Sequence, residues 1–165
     1  MIRIFLLSFM YLTMISTQAK TIQIEALLND DALNCYASES IFKFSNDLRE
    51  QKKRGIKLNK SEQKLKLGSN IYNGIQAHQN YKTQHMIQHD FAVNFKKNGV
   101  KVIKIAFQAI KTSESESGAY YFIFEGKPSA VLFQLKRTLG DIWNIENTLE
   151  ETPQGNTKLS CVYIG

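Results

Sequence analysis

Apolar residues recur at helical intervals in the first half of the chain and alternate with polar ones in the second. Leu33, Ala37, Ile41, Phe44 and Leu48 follow three- and four-residue steps, which predicts one apolar stripe on a helix over about residues 31–53. Asn29, Asp30 and Asp31 supply capping side chains at its start. Gly55 suits its stop, and Lys52, Lys53 and Arg54 suit the negative end of the helix dipole. Thr21–Leu28 reads as a short strand or an extended lead-in. A second helix is expected over residues 61–79, burying Leu65, Ile71, Tyr72 and Ile75. Gly68 and Gly74 count against it, since each costs ~1 kcal/mol relative to alanine inside a helix.

From Ile87 the period is two: Ile87, His89, Phe91, Val93 and Phe95 share one face. Asn98-Gly99 is a hairpin signal, and Val100–Lys111 is the expected return strand. Residues 112–118 read as a polar loop. Further strands are expected at 120–124, 130–136, 142–147 (carrying Trp143) and 159–164 (carrying Cys161), with turns at 126–129, 139–141 and 153–156. Such short connections favour antiparallel neighbours. The predicted class is α+β: two N-terminal helices within about residues 31–79, packed on a C-terminal antiparallel meander of five or six strands within about 85–165.

The first nineteen residues change the picture of where this domain works. Arg3 precedes an apolar stretch, Ile4–Ile15, broken only by Ser8 and Thr13, and Ser16-Thr17-Gln18-Ala19 ends it. That stretch is about a dozen residues, short of the ~20 that span a bilayer, and reads as a secretory signal peptide over 1–19. Residues 20–165 are then one exported domain, periplasmic or secreted, with no transmembrane anchor. Cys35 and Cys161 are the two cysteines. In an oxidising compartment they are expected to form one structural disulfide. A redox pair or metal ligands would be the alternative, but redox pairs usually sit close together, as in C-x-x-C.

The formal net charge of +6 is concentrated in one segment. Residues 43–67 hold nine cations (Lys43, Arg49, Lys52, Lys53, Arg54, Lys57, Lys60, Lys64 and Lys66) against Asp47, Glu50 and Glu62. A cluster of this kind either forms a solvated surface or attracts an anionic partner. The export signal argues against nucleic acid in that role.

Catalytic and metal chemistry find little footing. His78, His85 and His89 would fall within about forty degrees on one continuous helix, but on a strand His85 and His89 stand ~13 Å apart. No metal site and no cofactor is therefore expected. There is no G-x-S-x-G, and the acidic pairs at Asp30-Asp31, Glu114 with Glu116, and Glu150-Glu151 read as capping or loop residues. No catalytic residue is assigned.

The expected function is that of a non-catalytic binding protein of the cell envelope, an inhibitor or immunity protein that blocks a partner enzyme or toxin. Its candidate contacts are Lys52, Lys53, Arg54 and Lys57, where an acidic partner surface would fit. Tyr120, Phe122 and Phe124, which share one face of a strand, are the second choice. The alternatives are an exported hydrolase using His85 or His89 with an acidic partner, and a carrier of a small apolar ligand.

Overall fold

The computed structural model describes residues 19–51, 55–111, 116–140, 143 and 148–164. The expected leader, Lys52, Lys53 and Arg54, and most of the strand expected at 142–147 lie outside these residues.

Strand β1 (Lys20–Gln23) leads through a 3-10 turn, Ile24–Leu27, into the short helix α1 (Asp30–Leu33). Asn29 caps α1, its Oδ1 accepting from the Ala32 N–H at 2.9 Å. The chain then breaks at Cys35, whose φ is 57°, before α2 (Glu39–Gln51) begins. One expected helix is thus two. The apolar period survives across the break, but the backbone does not stay helical through it.

The second expected helix does not form. Residues 61–79 instead supply β3 (Lys64–Leu67), β4 (Asn70–Asn73) and the start of β5 (Ile75–Lys82), with β2 (Lys57–Asn59) before them. Gly68 and Gly74 turn the chain between these strands, with φ of 56° and 89°. Strands β1 to β4 form a four-stranded sheet in the order β1-β4-β3-β2, in which β1 and β4 run parallel.

The remaining strands are β6 (Met86–Lys97), β7 (Val100–Lys111), β8 (Glu116–Phe124), β9 (Leu149–Glu151) and β10 (Thr157–Ile164). With β5 they make a six-stranded antiparallel sheet in the order β5-β6-β7-β8-β10-β9. The Asn98-Gly99 hairpin joins β6 to β7 with positive φ at both residues, as a type I′ turn requires. The strand expected at 130–136 is helix α3 (Pro128–Leu139), with Pro128 in its first turn, Gly140 at its C-cap and Val131 and Leu135 buried four residues apart. The fold is α+β, but its helices do not all precede the sheet. Trp143 belongs to no regular element.

Helix α2 packs between the sheets. It buries Ile41, Phe44 and Leu48, and Phe44 meets Tyr72 of the small sheet edge-on at 4.6 Å and Phe91 of the large one at 5.3 Å. Tyr72 also donates to Asp47 Oδ2 at 2.6 Å, tying β4 to α2. Burial and the adjoining carboxylate push the Tyr72 hydroxyl well above its ordinary pKa.

Cys35 and Cys161 are disulfide-bonded, 126 residues apart, joining the segment after α1 to β10. Two side chains fasten the same place. Tyr120 Oη donates to the Ala32 carbonyl at 3.1 Å, and Trp143 Nε1 donates to the Leu33 carbonyl at 2.9 Å. These satisfy carbonyls that a helix C-terminus leaves without intrahelical partners.

Candidate functional site

The small sheet turns Leu58, Leu65 and Leu67 toward the core and its lysines outward. Lys57 lies directly opposite Lys66 across β2 and β3, and Lys64 lies opposite Asn59 on the same face. All three lysines are exposed, as is Lys60 in the connecting turn. Glu62 pairs with Lys64 at 3.0 Å. Placing like charges opposite one another in a sheet is unfavourable. Lysines on an edge strand discourage edge-to-edge pairing, but β3 is an inner strand, and that role does not cover Lys64 and Lys66. Of the four basic residues singled out in the sequence, Lys57 is on this face. Lys52, Lys53 and Arg54 lie outside the described residues.

The aromatic row is corrected by the structure. Tyr120, Phe122 and Phe124 do share a face of β8, and that face is the core, with relative exposures of 1%, 0% and 0%. All three lie inside the main core cluster, Tyr120 against the α1 segment, so they offer no contact surface. Burial raises the Tyr120 hydroxyl above its ordinary pKa. On the opposite face Tyr121 and Ile123 are also nearly buried. There Asp90 Oδ1 accepts from Tyr121 Oη at 3.0 Å and from Gln88 Nε2 at 2.6 Å, and Lys104 pairs with Oδ2 at 2.8 Å. Lys158 stands 5.0 Å from the centre of the Tyr121 ring.

The single-helix arrangement of the histidines is not found; His89 lies on β6 and His85 just before it, as the strand reading predicts. His78 on β5 and His89 on β6 meet ring to ring, with His78 Nε2 3.1 Å from His89 Nδ1. His85 sits exposed near the turn between those strands. Burial holds the His78 imidazole below its ordinary pKa, against the opposing pull of Asp90. Among the described residues no three His, Cys, Asp or Glu side chains converge on a metal-sized site.

A hollow of about 120 Å³ lies between α2 and the β7–β8 end of the large sheet. Leu48 and Arg49 line it from α2, and Ala109 and Gly118, the latter under the Tyr163 ring, line it from the sheet. Tyr163 closes one side, its hydroxyl 2.8 Å from Ser45 Oγ, and Phe42 packs edge-on against the Tyr163 ring at 5.6 Å. Sequence reading missed this hollow, because it depends on two small residues on different strands. A second hollow, of about 330 Å³, opens between β1 and α2 beside Lys20, Glu39 and Lys43.

No protein-family model, curated protein or solved structure matches the chain. The disulfide is compatible with a periplasmic or extracellular location. Among the described residues no helix is long and apolar enough to cross a membrane.

Proposed function

We propose that the chain is an exported, non-catalytic binding protein that presents the outer face of its small sheet to an acidic surface of a partner protein. It then acts as an inhibitor or immunity protein, occupying the surface of an envelope enzyme or toxin. The observation that carries this reading is the Lys57–Lys66 pair, with Lys64 beside it on an inner strand. These cations oppose one another within the fold, and an anionic partner relieves that repulsion. Blocking needs a rigid surface rather than chemistry, and the disulfide, Tyr120 and Trp143 together fix the body that carries it. Charge complementarity of this kind sets association rate and partner choice and weakens with salt.

The test is affinity capture from envelope extract with the wild-type chain and with the Lys57→Glu/Lys66→Glu variant. The wild type is expected to retain a defined protein with an acidic surface, released by raised salt, and the variant to lose it. Capture of no partner, or of one indifferent to both substitutions, overturns the reading.

A further inference from the structure

We propose that the hollow between α2 and the β7–β8 end of the large sheet binds a short-chain aliphatic monocarboxylate, with the tail on the sheet and the carboxylate at Arg49. This site is separate from the basic face and stands or falls independently of it.

The hollow has a simple cause. Ala109 and Gly118 are register partners on neighbouring strands; Ala109 presents only a methyl group, and the Tyr163 ring lies over Gly118 and forms the adjoining wall. One row deeper stand His89 and Phe107, also paired in register, and they close the back. Helix α2 is held over the sheet by Phe44, which packs on Phe91 and Phe107 and cannot descend to fill the gap. Leu48, Ile87 and Phe107 make the walls apolar.

The polar groups at this hollow favour an anion. Arg49 lines it, and among the described residues neither aspartate nor glutamate does. The Arg49 guanidinium gives one N–H to Asn46 Oδ1 at 2.8 Å, out of the five donors that side chain carries. A guanidinium engages a carboxylate through paired hydrogen bonds better than it engages an alcohol. The Ser45–Tyr163 hydroxyl pair adds a further donor at the rim.

Size sets the tail length. The volume of about 120 Å³ falls below that of ordinary drug-sized pockets, roughly 300–1,000 Å³. It is close to the ~150 Å³ apolar cavity known to accept benzene. A chain of about six carbons suits it, and a long acyl chain does not.

The experiment is calorimetric titration of the purified, disulfide-bonded chain with hexanoate, hexanol and acetate. Hexanoate is expected to bind saturably at millimolar concentration or tighter, with hexanol and acetate each weaker by about tenfold or more, the worth of a charge-assisted hydrogen bond or of the buried tail. Arg49→Gln, at an exposed helix position, should weaken hexanoate by about tenfold and leave hexanol unchanged. Ala109→Leu should fill the floor and abolish hexanoate binding, with circular dichroism confirming the fold. Equal affinity for hexanol and hexanoate, or an unchanged hexanoate affinity in Arg49→Gln, overturns the carboxylate assignment. Binding that survives Ala109→Leu overturns the location. A peptide ending in an apolar residue that binds far more tightly than hexanoate, and loses this on C-terminal amidation, overturns the small-acid assignment in favour of a protein C-terminus.

Discussion

The Tyr163 ring covers Gly118, its direct cross-strand partner between β10 and β8, so closely that a Cβ at residue 118 would clash with Tyr163 Cζ, Cε2 and Oη. An aromatic ring laid over a strand glycine covers backbone that would otherwise be open to water. It also sets one wall of the hollow and holds Tyr163 Oη against Ser45. Gly118→Ala is therefore expected to displace the ring and to cost about 1–3 kcal/mol, the usual range for overpacking. Urea denaturation measures this directly. In a Tyr163→Ala background the same alanine should cost much less, since the clash is gone. Equal costs in the two backgrounds would show that the ring is not what requires glycine.

The Cys35–Cys161 bond closes a 126-residue separation. On the chain-entropy model a loop that long contributes up to about 5 kcal/mol, and strain or residual unfolded-state structure lowers the figure. Reduction should lower the melting temperature clearly, though Tyr120 and Trp143 still hold the carbonyls of α1. Thermal melts before and after reduction, with the thiols counted, decide the matter. A melting temperature that does not move once both thiols are free contradicts a stabilising role.

The sequence made α2 legible because Ile41, Phe44 and Leu48 mark one face over thirteen residues. Strands β3 and β4 are four residues each, too short to establish a period. Leu65 and Leu67 alternating with Lys64 and Lys66 were the available signal, reinforced by the turns at Gly68 and Gly74. At α3, Val131 and Leu135 fit a strand face or a helix face equally well. Pro128 before them and Gly140 after them were the punctuation of a helix. The basic cluster was visible as a run of residues, but that Lys57 faces Lys66 follows only from the β2–β3 pairing. The hollow was illegible for the same reason, since Ala109 and Gly118 become neighbours only through register.

The burial of His78 gives a pH dependence with a definite sign. Burial lowers the His78 pKa from its ordinary 6.5. The unfolded chain therefore takes up its proton at higher pH than the folded chain does. Stability falls as pH drops through about 6.5, and the loss levels off below the folded-state pKa. Protonating both rings would also remove the acceptor that their 3.1 Å contact needs. His78→Gln should flatten this part of the profile relative to wild type, read from urea midpoints between about pH 7.5 and pH 5. Parallel profiles for the two proteins would rule out His78 as the source.

Lys66→Glu separates a functional basic face from a merely solvated one. The substitution turns the Lys57–Lys66 like-charge pair into an opposite-charge cross-strand pair. Such pairs contribute about 0.2–1 kcal/mol in sheets, toward the lower end at exposed positions like this one. The variant should therefore be slightly more stable than wild type in low salt, and the gain should shrink as salt screens the pair. If the face exists to meet an acidic partner, the same substitution weakens capture, so stability and binding move in opposite directions. Chemical denaturation and partner capture on the one variant report both quantities. A gain in stability with undiminished capture would leave these lysines no role in recognition, and a loss of stability would show that the cross-strand repulsion is already relieved within the fold.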